Sequence, residues 1–315
     1  MKRWNNYWFR PRPYVDLAMV RIITVATQLV LLLIYSNYSA DRFMLLDSAP
    51  DEIYKPIPAL LPFIFPFGLD YRPSFEEIRF IQNIAIAVGF LALIGLATRL
   101  SLLIFALCSV FIVAWTYSFS DFHHTEAPLF LALGILAFAP VGRVLSVDAL
   151  LRRRRSPTAA PGILSQEHEL AGWAIHLIQW LLVLIYLSAV LSKLVFVGGL
   201  DWLNGYTLQY YLIQDTLRKG TLLGGWFSQY HYLVMLSQYT VVIFQTTFAL
   251  AVIFPRLRWI YVPLGLTFHA GNWILLNAPF PEWMALYAVL IPWQRVFAMV
   301  LRREPEVRRE PQVAT

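Results

Sequence analysis

Residues Trp173 to Phe196 read WAIHLIQWLLVLIYLSAVLSKLVF, an apolar run interrupted near its end by Lys193; Gly198-Gly199, Asp201-Trp202 and Gly205-Tyr206 follow at once. A membrane-crossing helix needs about 20 mostly apolar residues. This run therefore sets the expectation for the whole chain, a helix in a bilayer. A lysine at the centre of such a helix costs roughly 3 kcal/mol on insertion scales, so Lys193 either performs a task or reaches water.

Composition carries the same message outward from this run. The 315 residues are 58% hydrophobic and 14% charged, where soluble domains carry about 25% charged residues. The 11 Trp, 16 Tyr and 22 Phe suit the two membrane interfaces, where amphipathic rings settle. The lone Cys108 has no intrachain disulfide partner and reads as a small buried residue. The basic start, MKRWNNYWFRPRPY, precedes an apolar segment without a small-x-small cleavage site, so a retained first helix is expected.

About eight segments approach spanning length: 15–37, 78–97, 101–120, 128–140, 171–196, 231–254, 257–277 and 283–300. The expected fold class is all-α, a polytopic transmembrane helix bundle with both termini cytoplasmic. That topology sends 17 Lys and Arg residues inward and six outward (Arg42, Lys55, Arg72, Arg79, Arg218 and Lys219), leaving Arg21 and Lys193 within helices. The asymmetry is the positive-inside pattern, and the expected location is the cell inner membrane. The chain then divides into an inner N-terminal segment at 1–14, a transmembrane domain at 15–300 and an inner tail at 301–315. Within the domain lie a basic inner loop at 141–169 and outer loops at 38–77 and 197–230.

Pro56, Pro58, Pro62 and Pro66 make the first outer loop read as a re-entrant or interface-lying piece, and Ser74 with Glu77 forms a capping-box signature after it. The second reads as a covered vestibule. The run Arg152 to Arg155 reads as a topology determinant that touches anionic headgroups. No aromatic or folded element accompanies it, which speaks against nucleic acid as a partner.

Polar residues in the expected helices are few: Arg21, Gln82, Asn83, His176, Gln179, Lys193, Gln238, Gln245, His269 and Asn272, with His123, His124 and Glu126 at an outer turn. The topology places His123, His124, Glu126, Lys193, His269 and Asn272 at one outer depth. A free amine at Lys193 would serve as a general base, imidazoles would pass protons, and Asn272 would bond an oxyanion. The competing reading is a snorkelling lysine, which needs a rise of only about 5 Å at 1.5 Å per residue. A bis-histidine haem on His124 and His269 is a third reading. His176 sits at the inner end, and no HExxH, CxxC, P-loop or GxSxG pattern is present; no metal site is expected.

At these residues the sequence resembles the HTTM family, the multi-pass membrane domain that includes vitamin K-dependent gamma-glutamyl carboxylase. Three blocks carry the likeness. The first is His124 with the helix that follows, ending in Ser146-Val147-Asp148-Ala149-Leu150. The second runs from Tyr186 through Ser192-Lys193-Leu194 to Asp201-Trp202 and Gly205-Tyr206. The third is Phe268-His269, Asn272 and Pro281-Glu282-Trp283-Met284.

The resemblance implies that Lys193 is the base that deprotonates reduced vitamin K or another quinol, with oxygen and carbon dioxide as co-substrates. It further implies that His124 donates a proton or positions carbon dioxide and that His269 is a structural or quinone-side contact. Asn272, Asp201, Trp202, Tyr206 and His123 are the implied substrate-binding residues. Ser192 stands where the family carboxylase has the first of two lysines, and Val195 to Leu200 lengthen the step from Lys-Leu to Asp-Trp. The chain ends about 15 residues past the last apolar segment, so no large substrate-holding domain is expected within it. Two functions stay open: a quinol-dependent carboxylase or epoxidase, whose acceptor a separate soluble partner would supply, and a non-enzymatic scaffold or quinone-binding partner subunit.

Overall fold

The computed structural model describes residues 2–119, 125–155, 164 and 167–301. Among the described residues the fold is all-α apart from one short antiparallel pairing of β1 (Arg12–Pro13) with β2 (Glu167–His168). The helices are α1 (Lys2–Trp8), α2 (Tyr14–Ile34), α3 (Ala40–Asp47), α4 (Leu61–Ile64), α5 (Phe75–Ile94), α6 (Thr98–Tyr117), α7 (Ala127–Phe138) and α8 (Val147–Arg155). There follow α9 (Glu169–Leu191), α10 (Tyr206–Lys219), α11 (Leu222–Phe227), α12 (His231–Thr247), α13 (Ala249–Ile253), α14 (Arg258–Leu276), α15 (Pro281–Leu286) and α16 (Trp293–Val300). They form two compact units: Met1–His176 with Pro292–Thr315, and Leu177–Ile291.

All eight expected segments are helical, but among the described residues only five helices are long and apolar enough to cross a membrane, or six if α15 and α16 count as one bent span. The shortfall has local causes. The segment expected at 128–140 is α7, 12 residues long. α14 is 19 residues long but carries Arg258, Pro263, His269 and Asn272. The last segment bends at Ile291-Pro292, because proline has no N–H to continue the helix.

In the first unit α2 packs on α5 and α7, and α5 and α6 form a tight hairpin. α5 begins at Phe75, as the capping-box signature led one to expect, three residues ahead of the apolar run: Glu77 N donates to Ser74 Oγ at 3.4 Å and Ser74 N donates to Glu77 Oε2 at 2.8 Å. The loop at 38–77 folds into short helices gathered by Arg72, which donates to the carbonyls of Leu46, Asp47 and Ala49 and to the Asp51 carboxylate. Cys108 is half-buried rather than buried, a correction to the sequence reading.

The Ser-Val-Asp block ties this unit together. Asp148 accepts from the backbone N–H of Ala97 at 2.9 Å, from that of Thr98 at 2.8 Å, and from the Thr98 hydroxyl at 2.6 Å. A carboxylate thus caps the start of α6, where the helix dipole favours negative charge. Arg21, fully buried, donates to the carbonyls of Leu145 at 2.6 Å and Val141 at 3.4 Å. It therefore pairs within the unit and does not reach for water.

Partial burial pushes the Asp148 carboxyl up, but the bonds from Thr98 and Ala97, with Arg152 nearby, outweigh it and hold the group below its ordinary value. A depressed carboxyl contributes stability that is full above its unfolded value of about 3.9 and drains away as pH falls through the lower folded value. Asp148→Asn is expected to cost about 1–2 kcal/mol near neutral pH and to flatten the loss of stability below about pH 4. Thermal unfolding of wild type and variant across pH 3–7 checks both.

Candidate functional site

The candidate site lies wholly in the second unit, 177–291. α9 remains apolar to Leu191 and then widens into a π-helical turn, Ser192–Val197, in which Gly198 N donates to the Lys193 carbonyl at 3.2 Å. Such turns recur at functional sites because they re-aim a side chain without ending the helix. Here the turn carries Lys193.

The Lys193 ammonium donates to the Ala189 carbonyl at 3.1 Å and to Gln245 Oε1 at 3.3 Å, and lies 5.5 Å from the centroid of the Trp202 ring. Gln238, seven residues before Gln245 on α12 and so on the same face, donates through Nε2 to the Trp202 carbonyl at 2.8 Å. The two glutamines of α12 thus fix the lysine and the ring beneath it. Lys193 itself is half-buried.

Tyr186 precedes Lys193 by seven residues, about 10.5 Å along a regular helix. Its hydroxyl lies 3.0 Å from His269 Nε2 and 2.5 Å from the Tyr287 hydroxyl. These three residues are 0%, 2% and 1% exposed, and Phe244, Phe248 and Trp283 pack against the Tyr186 ring. Phe244 adjoins Gln245, so neighbouring residues of α12 serve the tyrosine and the lysine. The imidazole tautomer sets the direction of the hydrogen bonds along His269, Tyr186 and Tyr287. His269 Nδ1 is buried without a hydrogen-bond partner.

Tyr186→Phe would strip His269 Nε2 and the Tyr287 hydroxyl of their shared partner. Each buried polar group left unpaired costs about 1–3 kcal/mol. The expected outcome is a clearly lowered midpoint in thermal unfolding, with Tyr186→Phe/Tyr287→Phe less destabilised than the sum of the two single changes.

Of the residues proposed from sequence, Trp202 meets Lys193 directly, and His269 on α14 meets Tyr186 on α9, the helix that leads into Lys193. Asp201 is exposed in the 3-10 turn Gly199–Asn204. Tyr206 is 64% exposed and packs on His231, ring centroids 4.4 Å apart. Asn272 gives its carbonyl to Ala278 N at 3.2 Å, closing the end of α14. His123 and His124 lie outside the described residues. Glu126, beside them in sequence, is buried and accepts from the Tyr117 and Thr125 hydroxyls. His176 stacks with Tyr7 at 4.8 Å and lies 3.2 Å from Arg12 Nη2, holding the N-terminal segment. Gln245, Gln238, Tyr186 and Tyr287 were not expected as site residues. For the glutamines the signal was there, two amides seven apart in an otherwise apolar helix.

The HTTM domain model matches residues 63–295. The chain belongs to the HTTM family. The match covers the π turn, both α12 glutamines, His269 and Tyr287, and with the apolar helices it makes this HTTM protein a multi-pass membrane protein of the gamma-carboxylase-like family. No curated protein and no solved structure matches the chain.

Proposed function

We propose that this HTTM protein is an inner-membrane enzyme that acts on a lipid-soluble quinol, with Lys193 as the base that takes the quinol proton. The observation that carries this reading is the lysine itself, set on a π turn by Gln245 and over Trp202. Its surroundings supply hydrogen-bond acceptors and an aromatic face, which suit a ring bearing a hydroxyl. Reduced vitamin K, oxygen and carbon dioxide are the reactants, and carboxylation or the related epoxidation is the reaction. A separate soluble partner would supply the acceptor.

The second reading, a scaffold or quinone-binding partner subunit, has one observation in its favour. His269, Tyr186 and Tyr287 are enclosed by rings, as a purely structural joint would be. Oxygen-dependent consumption of reduced vitamin K by the purified chain in lipid nanodiscs tests the two. Consumption above that of empty nanodiscs is expected of the enzyme; bound quinol without consumption would leave the scaffold.

A further inference from the structure

α10 and α11 belong to the second unit, and at 14 and 6 residues neither is long enough to cross a membrane. Their place follows from what holds their ends. Where α10 starts, the Tyr206 ring centroid lies 4.4 Å from that of His231, the first residue of α12. Gln209 Oε1 lies 3.1 Å from His231 Nδ1, and Gln209 Nε2 donates to the Ser228 carbonyl at 2.6 Å. Where α10 ends, Lys219 donates to the Leu276 carbonyl at 3.1 Å, and α11 comes so close that a Cβ on Gly224 would stand 2.1 Å from the Leu275 oxygen. Leu275 and Leu276 are the last residues of α14.

α12 and α14 run antiparallel, since the Tyr261 hydroxyl donates to Thr247 at 2.8 Å while the rings of Phe244 and Phe268 are 5.9 Å apart. The start of one and the end of the other therefore share one end of the hairpin. Residues His231–Ile253 are long and apolar enough to cross a membrane, so that end marks a membrane surface. α10, about 21 Å long at 1.5 Å per residue, runs from one of these helix ends to the other, across that surface.

The faces of α10 match this position. A helix turns about 100° per residue, so Tyr206, Tyr210, Ile213 and Leu217 make one stripe, and Thr207, Tyr211, Gln214 and Arg218 make a second beside it. Leu212 lies on the opposite, buried side. All four residues of the first stripe are exposed, Leu217 at 83%, and α11 adds Leu222 at 81% and the exposed Trp226. A single exposed leucine is ordinary, but an unbroken apolar and aromatic stripe beside a polar one is the pattern of a helix lying in the headgroup–acyl boundary, where Tyr and Trp settle. The spanning helix to which α10 is tied also exposes Tyr232 and Leu236 in its first two turns, so lipid already borders this end.

We infer that α10 and α11 form an interfacial platform whose partner is the bilayer itself: the stripe from Tyr206 to Leu217 enters the boundary with Leu222, and the stripe from Thr207 to Arg218 faces water. This contact holds whether or not Lys193 acts as a base. Depth measurements test it on the full chain in phosphatidylcholine nanodiscs. Ile213→Cys, Leu217→Cys, Gln214→Cys and Arg218→Cys, each with Cys108→Ala, carry a nitroxide label whose collisions with oxygen and with a water-soluble nickel chelate are compared. The ratio of oxygen to nickel collisions is expected to be several-fold higher at 213 and 217 than at 214 and 218. Equal access of the nickel chelate to all four would overturn the inference and point to a surface for a soluble partner. Oxygen-rich readings at all four would overturn it by immersing the helix, and low rates with both reagents at 213 and 217 would do so by showing that protein covers the stripe. The unsubstituted chain gives a second reading: photolysis of a phospholipid with a diazirine at the top of its acyl chain is expected to mark Tyr210 and Leu217 over Gln214 and Arg218, and the reverse pattern, or no mark on α10, contradicts the platform.

Discussion

Lys193→Ala is expected to keep the fold and to lower quinol turnover by about 10²–10⁴, the range general-base catalysis contributes. The fold survives because the Nζ contacts of a half-buried side chain go to its own helix and to one amide of α12, and Gln245 is the one side-chain amide left without this partner. Turnover falls because the side chains that meet the amine, Gln245 and Trp202, carry no group that takes up a proton near neutral pH. Lys193→Arg is the sharper control: it keeps a positive charge but a guanidinium does not give up its proton, so it too is expected to be inactive. Short primary amines added to Lys193→Ala would restore part of the rate, and would do nothing for Lys193→Arg. A lysine that merely snorkels predicts unchanged rates in all three proteins.

Gly265→Ala is expected to destabilise the second unit by about 3 kcal/mol, an overpacking cost together with a buried hydroxyl that loses its partner. A Cβ at Gly265 would lie 2.0 Å from the Tyr287 hydroxyl oxygen, 2.3 Å from Cζ and 2.6 Å from Cε1. Tyr287 has little room to retreat, being 1% exposed with the rings of Phe248 and His269 both centred 6.0 Å away. Gly265 stands one turn before His269 on α14, so the absence of a side chain is what lets Tyr287 reach Tyr186. Adding Tyr287→Phe removes the nearest atom and is expected to recover part of the loss, a coupling that a double-mutant cycle on thermal unfolding measures. Wild-type stability in Gly265→Ala would show that the Tyr186–Tyr287 contact does not govern the packing there.

The helices were legible because each apolar segment is long, and long apolar runs admit few other structures. Spanning capacity was harder to read. α7 and α14 are helical as expected, yet one is short and the other carries polar residues and a proline, and the bend at Pro292 divides a third. α10 escaped notice because Tyr206–Lys219 mixes tyrosines with Gln, Asp, Arg and Lys, a pattern that reads as a polar loop. In the site, Lys193 and Trp202 stood out, one as a charge in an apolar run and the other as its neighbour in a family motif. Gln245 and Gln238 were visible as polar exceptions, but their partners lie 52 and 36 residues away, and no local periodicity encodes such pairings. Tyr287 was hidden for the same reason, since one tyrosine among 16 carries no mark of the glycine that admits it. Asp148 was quoted as part of a motif; that it caps α6, 50 residues earlier, emerges only from the fold.

The most direct test of Lys193 as the base in quinol chemistry is single-turnover epoxide formation from reduced vitamin K in nanodiscs, under isotopically labelled oxygen with carbon dioxide present. Wild type and Lys193→Ala are loaded with equal amounts of bound quinol. The account predicts epoxide carrying the oxygen label in the wild type and a loss of about 10² or more in the variant. Equal epoxide from both proteins, or none from the wild type with quinol bound, would contradict it.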